Sequence, residues 1–456
     1  MAEMSVTPQN NFRQAVGNLW KPMRMPLIAL GVAFLIGAVV IWLTSGSLLA
    51  VFEAYYGLLR GAFFKQRGFS ESLVATIPYI FLSLGLAISF KSGLFNIGVE
   101  GQFYVGAISA AWAGQLTQDL PAVIHLPLAL GAGMLGGAVW AGIPGLLKVK
   151  TGAHEVISTM MMNYVAFRLT EYLILGPLRD TNSTAVQTPR VSPNAELWTL
   201  AAIPERLQDP LNALALAVFV ALMAALIVRA LALRPAWQQR LQTPLKRRAV
   251  YAGAGVIGGL LAFVILPPLT RMWWPFQDQY DRLHVGLILA VLAAVLVWWL
   301  LQKTTLGFEL RTVGANPNAA QYAGVDTTRS VVLALALSGA LAGLAGTIEV
   351  LGVSICRCLP LFFSSGYGFD SIAITLLAKN NPFGILLSSF LFGAMRNGAD
   401  LMELTSGVSK YIISLIQALA LLFVSAPGIV RWIARMKKPD EGAAETEAPL
   451  TRGWGG

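Results

Sequence analysis

The fold class this sequence predicts is an all-α, polytopic transmembrane helical bundle of about 10–12 spans, half-spans included. Three observations predict it. Of 456 residues, 56% are hydrophobic and 12% charged, with a mean hydropathy of +0.64, whereas a soluble domain carries roughly 25% charged residues. Apolar runs recur along the chain, several reaching the ~20 residues that a helix needs to cross a hydrocarbon core of ~30 Å. Lys and Arg gather in short clusters beside the ends of those runs, as positive-inside topology requires. The net charge of +10 therefore points to a lipid bilayer as partner, with no nucleic acid. A soluble chain of this length would divide into two or more domains, but successive apolar runs with short links argue for one membrane domain.

Residues 1–25 form a basic N-terminal segment containing Arg13, Lys21 and Arg24, expected in the cytoplasm. The apolar run 26–43 has no small-residue cleavage pattern and reads as an uncleaved first span. Further spans are expected at 73–90, 103–116, 126–147, 156–175, 211–231, 249–269 and 285–301. Beyond a polar stretch come 331–351, a short glycine-bounded piece at 369–378, then 383–402 and 411–430. With the N-terminus inside, Lys148, Lys150, Arg234, Arg240, Lys246, Arg247, Arg248, Lys303, Arg311, Arg431, Arg435, Lys437 and Lys438 fall on the cytoplasmic side. Arg60, Lys65 and Arg67 fall outside, against the bias. The permease domain is thus 26–438, with an extracytoplasmic loop at 176–210, rich in Pro, Asn, Thr and Ser, and a cytoplasmic loop at 308–329. The tail 439–456, rich in Glu, Ala, Pro and Gly, is expected to be disordered.

Cys356 and Cys358 stand one residue apart, too close for a framework disulfide and too few for a zinc site. His125, His154 and His284 are isolated in sequence, so no metal cluster is expected.

The cytoplasmic loop carries a legible element. Asn316 is a good N-cap, Pro317 fits the first helical position, and Gly324 fits the residue just past the helix end. A helix of about two turns is unstable alone in water, so it must pack against something. Asp326 can cap the next span, leaving the short helix as a knob between two membrane helices.

The stretch Thr305-Leu306-Gly307-Phe308-Glu309-Leu310-Arg311-Thr312-Val313-Gly314-Ala315-Asn316-Pro317, followed by Ala319-Ala320 and Ala323-Gly324-Val325, resembles the family of ABC importer permeases for nucleosides, simple sugars and branched-chain amino acids. Residues 90–102 (Phe-Lys-Ser-Gly-Leu-Phe-Asn-Ile-Gly-Val-Glu-Gly-Gln) and 154–164 (His-Glu-Val-Ile-Ser-Thr-Met-Met-Met-Asn-Tyr) resemble its nucleoside-type branch. So do 366–373 (Gly-Tyr-Gly-Phe-Asp-Ser-Ile-Ala), Asn380-Asn381-Pro382 and 393–398 (Gly-Ala-Met-Arg-Asn-Gly). The segment 235–282 departs from the pattern as an insertion holding one apolar span. The resemblance implies a permease subunit of the bacterial cytoplasmic (inner) membrane. It also implies an ABC ATPase subunit that binds the ATP, a second permease subunit completing a heterodimer, and an extracytoplasmic substrate-binding protein or lipoprotein. By the same resemblance, Asn316, Pro317, Ala319, Ala320, Tyr322 and Gly324 form the coupling helix that docks on the ATPase. The sequence itself has no Gly-x-x-x-x-Gly-Lys-Ser/Thr phosphate loop, and no cofactor is expected in this chain.

Gly339, Gly343 and Gly346, and Gly131, Gly133, Gly136 and Gly137, have the spacing that lets membrane helices pack closely. Glu100, Glu349, Asp370 and Asp400 are ionisable groups near membrane depth, where they usually face a cavity or a partner, although Glu349 and Asp400 fall near span ends. The solute path is expected at 93–102, where Gly93, Gly98 and Gly101 weaken regular helix. If that segment is helical, Asn96 and Glu100 share a face; with Gln102, and with Asn163 on a facing helix, they suit a neutral hydroxyl-rich solute such as a nucleoside. A simple-sugar permease is the alternative. An ion-coupled secondary transporter would show two similar halves with broken helices, and no internal repeat is visible. A membrane enzyme would cluster its acids, bases and nucleophile, and here they are scattered.

Overall fold

The computed structural model describes residues 28–116, 120–232, 243–276 and 278–426. The expected segments 1–25 and 439–456 lie outside the described residues, as do Arg13, Lys21, Arg24, Arg234, Arg240, Arg431, Arg435, Lys437 and Lys438. The chain runs α1 (Ile28–Ser45), α2 (Leu48–Leu59), α3 (Gly68–Lys91), α4 (Val99–Gln115), α5 (Ala122–Thr151), α6 (Glu155–Leu175), α7 (Ile203–Arg206), α8 (Pro210–Ala232) and α9 (Pro244–Met272). It continues with α10 (Gly286–Lys303), α11 (Thr305–Ala315), α12 (Pro317–Tyr322), α13 (Thr327–Ile348), α14 (Tyr367–Leu377), α15 (Pro382–Ser406) and α16 (Tyr411–Ser425). Among the described residues, six helices are long and apolar enough to cross a membrane, or seven if the pair α7–α8, bent by 115°, is one span. Shorter or more polar helices, α4, α6, α14, α15 and α16, fill the remaining expected positions.

Packing is densest around α3, almost all of whose side chains are buried between α4, α10, α13, α14 and α15. Glycine makes this possible. On α5 and α13, Gly137 and Gly343 leave no room for a Cβ, which would come within 2.7 Å of the Gly343 Cα or 3.0 Å of the Gly137 Cα. Gly131, by contrast, faces open space, so only part of the predicted glycine face is used.

Two helices are broken at depth. Along α3, Tyr79 meets Asp370 and Ser83 meets Ser371 and Thr375, so α14 runs beside α3 in the same direction. Along α13, Ser338 meets Asn96, and Gly346 meets Phe103 and Ala107, so α4 runs with α13. Gly85 of α3 packs on Ser338 of α13, while Gly93 just past α3 packs on Gly314, ahead of α13; these two long helices are therefore antiparallel. The half-helices α4 and α14 accordingly run in opposite directions and meet N-terminus to N-terminus at Glu100 and Gly368. The 11 residues of α14 rise about 16 Å, roughly half the hydrocarbon core.

Two expectations are corrected. A helix, α2, with a following π-helical turn at Arg60–Phe64, occupies the stretch read as a link before the second span. It packs on α15 through Gly57 and Gly61, whose added Cβ atoms would lie 3.0 Å from Met402 and 3.1 Å from Gly398; its apolar run is too short to be recognised as a full span. Cys356 and Cys358 are bonded to each other: Arg357 at φ 51° turns the chain back and holds their Cα atoms 5.1 Å apart, inside the span a disulfide bridges. The loop 176–210 is tied down by backbone bonds from Thr188 to Leu359, Val191 to Arg357 and Leu197 to Leu351.

In 235–282, α9 packs on α8 through Gly255, Gly258 and Gly259 against Ala221, Ala224 and Ala217. Val256, Ile257, Leu260 and Val264 face outward, as lipid-facing residues do.

Candidate functional site

The first predicted site is held in place by hydrogen bonds. Gly93, at φ 73°, ends the turn after α3, and Asn96 lies in the following loop, so it does not share a helical face with Glu100. Instead the Asn96 amide donates to Gln102 and Ser338 (both 3.0 Å) and accepts from the Gly98 N–H and from Gln102 (3.0 and 3.1 Å). Asn163 of α6 accepts from the Gly101 N–H at 2.8 Å and donates to the Ile97 carbonyl at 3.0 Å. Gly101 sits inside regular helix, and its role is close approach: a Cβ there would lie 2.9 Å from the Asn163 Cα. Asn96, Gln102 and Asn163 are buried and together clamp the start of α4.

Glu100 turns the other way, toward α14. Its carboxylate accepts from the Ser364 hydroxyl at 2.5 Å and from the Gly368 N–H, one of the N–H groups that a helix start leaves without an internal partner. A carboxylate at that position also favours the helix dipole. Next to it lies a group of which sequence reasoning singled out only Asp370 as a candidate. The Tyr79 hydroxyl donates to Asp370 at 2.8 Å and accepts from Arg396 at 3.0 Å. Arg396 also donates to Ser365 and lies 3.9 Å from the centroid of the Tyr367 ring, within cation–π range. Phe103, Phe363 and Tyr104 extend the ring cluster, with Tyr104 and Phe363 centroids 4.6 Å apart. Arg396 and Asp370 are half-buried, and Ser365 and Phe369 are exposed. The signal for this group was a lone arginine mid-way along an apolar run, where a charge is costly.

Glu349, at the α-to-π junction ending α13, is 9% exposed, and its Oε2 has no hydrogen-bond partner; such an orphan costs about 1–3 kcal/mol. Arg396 and Arg282 are the charges acting on it. Arg282 is engaged with Glu71 and the Val353 carbonyl. Asp400 is exposed and pairs with Lys410 at 3.3 Å.

At the opposite end, α11 and α12 form a knob. Asn316 caps α12 by accepting from the Ala319 N–H at 3.1 Å, and Gly324, at φ 81°, closes it. The Val325 N–H returns to the Ala320 carbonyl at 3.0 Å, the bond expected past a glycine stop. Pro317 and Ala319 are exposed, Tyr322 is 95% exposed, and Ala320 is buried beneath them.

The family model described as branched-chain amino acid transport system / permease component matches residues 68–425. The chain belongs to that family. Across its length the permease is similar to the guanosine ABC transporter permease NupP of Bacillus subtilis, 33% identical over 91% of this chain and 96% of the relative. It is also similar to the nucleoside ABC transporter permease NupB of Lactococcus lactis, 28% identical over 91% and 94%. The glucose ABC transporter permease TsgB13 of Haloferax volcanii is 30% identical over 82% and 80%. No solved structure matches the chain. As a permease component it is a part of a multi-pass membrane transporter and not an enzyme.

Proposed function

We propose that this chain is one of two membrane-spanning halves of an ATP-driven nucleoside importer in a bacterial cytoplasmic membrane. The observation that carries the reading is end-to-end similarity to two permeases named for guanosine and nucleoside transport. ATP is bound by a separate ABC ATPase, since this sequence has no phosphate loop. A second permease subunit completes the path, and an extracytoplasmic binding protein or lipoprotein delivers solute. The α12 end faces the cytoplasm, because Lys148, Lys150 and Lys303 lie at helix ends on that side, with Arg311 on α11 beside them. There Asn316, Pro317, Ala319, Ala320, Tyr322 and Gly324 form the ATPase contact, with Tyr322 and Ala319 outermost. The solute passes where α4 and α14 meet, irregular backbone at depth being tolerated where it lines a cavity. Glu100 borders this path, and Asn96, Gln102 and Asn163 hold its wall in position.

A simple-sugar permease is the second reading, favoured by the identity to the glucose permease over a smaller share of the chain. Uptake of radiolabelled guanosine, uridine and glucose by proteoliposomes holding the full complex decides between them. ATP-dependent nucleoside uptake that glucose does not compete with is expected; glucose uptake alone would overturn the nucleoside assignment. Tyr322→Ala is expected to weaken ATPase co-purification at least tenfold while the permease still inserts. Undiminished association would remove α12 from the contact.

A further inference from the structure

Two groups, Glu349 at the end of α13 and Arg396 on α15, are left incompletely satisfied by the fold. Glu349 is a buried carboxylate with an oxygen that nothing in the described protein satisfies. Arg396, the nearby cation acting on it, makes no ion pair with it and is held instead by neutral hydroxyls of Tyr79 and Ser365. A pair kept for stability would close to hydrogen-bond distance, since an unpaired acceptor and a half-satisfied guanidinium at membrane depth are both costly. Here Arg396 lies over a flat aromatic ring, Tyr367, whose neighbour Phe103 packs on Gly346, three residues before Glu349, and the edge formed by Arg396, Asp370 and Ser365 is partly exposed.

We propose that Glu349 and Arg396 are the solute-recognising pair of the translocation path, taking a nucleoside between them. The Glu349 Oε2 accepts from the solute's N–H or O–H donors, Arg396 donates to carbonyl or ring-nitrogen acceptors of the base, and Tyr367 supplies a stacking face. Guanidinium donors match adjacent acceptors on a purine edge, and a carboxylate matches amide and amino donors. A solute offering donors and acceptors on one rigid edge satisfies both groups together, whereas one offering only hydroxyls leaves the arginine under-used. The site therefore favours nucleosides whose bases carry both a carbonyl and an N–H. This rests on the nucleoside reading above.

The test uses the full complex in proteoliposomes, measuring uptake of labelled guanosine, adenosine and uridine for wild type, Glu349→Gln, Arg396→Lys and the control Asp400→Asn, with co-purification and melting temperature alongside. Glu349→Gln is expected to assemble, to melt no lower than wild type, to raise the guanosine KM at least tenfold and to narrow the preference over adenosine. Arg396→Lys is expected to shift KM in the same direction, and the control to leave uptake unchanged. Unchanged KM and solute ranking in assembled Glu349→Gln overturns the pair. So does failure of that variant to assemble, because an oxygen without an internal partner has no structural bond to lose. If wild type carries a sugar and no nucleoside, the proposed function fails by itself; the pair then stands or falls on whether Glu349→Gln raises the KM for that sugar.

Discussion

The two half-helix starts, α4 at residues 96–102 and α14 at residues 364–370, are built alike and finished differently. Both begin at depth after a loop, and both present helix N–H groups toward the middle of the molecule. At α4 the surrounding side chains close the account of hydrogen bonds: Asn96, Gln102, Asn163 and Ser338 satisfy one another and the local backbone. Around α14, Glu349 at the end of α13 keeps an unsatisfied carboxylate oxygen, and an arginine and an aspartate stay partly exposed. The difference teaches that a broken helix alone does not mark a solute site. A closed junction is architecture, and an unfinished one is where an external group can complete the bonding.

If that contrast is right, substitutions at the closed junction and its walls damage the fold, and those at the open junction damage transport. The largest effect is expected from Gly343→Leu. A side chain there collides with the backbone of Gly133 and Gly137, and backbone cannot move aside as a flexible side chain can; monodisperse protein extracted in detergent should be lost. Next comes Asn96→Leu, which strands the groups of Gln102, Ser338 and Gly98 and is expected to cost about 3 kcal/mol, read as a lowered melting temperature. Its solute ranking should stay that of wild type. An altered ranking there would erase the distinction between the two junctions.

Glu100 joins the two regions and sharpens their boundary. Glu100→Gln keeps one acceptor for the Gly368 N–H or the Ser364 hydroxyl and should cost about 1–2 kcal/mol. A shift in nucleoside KM beyond that loss places Glu100 on the path; a stability loss alone assigns it to the clamp. The smallest effect is expected just before α3, where Arg67 and Asp278 pair at 2.5 Å on the surface. The Arg67 hydrogen bond holds the Asp278 carboxyl below the ordinary carboxylate range. A lowered folded-state value means the pair contributes at neutral pH and loses its contribution as pH falls through that value. Because Asp278 is exposed and Arg67 only partly covered, Arg67→Ala should leave melting temperature and uptake at neutral pH within experimental scatter.

Much of the architecture was legible. Long apolar runs located α3, α5, α6, α8 to α10, α13 and α15 to within a few residues, because twenty apolar residues in lipid have little choice but helix. The capped knob at Asn316–Gly324 was equally readable, since capping is a local contest between a side chain and nearby N–H groups. Less was legible where helices are short. A run such as Leu48–Leu59 looks like a link until α15 covers it, and the bond between Cys356 and Cys358 depends on a turn at Arg357 that composition does not reveal.

What the sequence by itself determined is the class of molecule: a bundle of membrane helices with a short capped helix between two of them, set by local hydrophobicity and capping. Only the tertiary structure decided which polar residues are finished and which are open. Asn96 and Glu349 look alike in a string, each a costly polar group in an apolar setting. Whether such a group is satisfied depends on partners far away in the chain, Ser338 for one and none among the described residues for the other, and hydrogen bonding at that range is a property of packing in three dimensions.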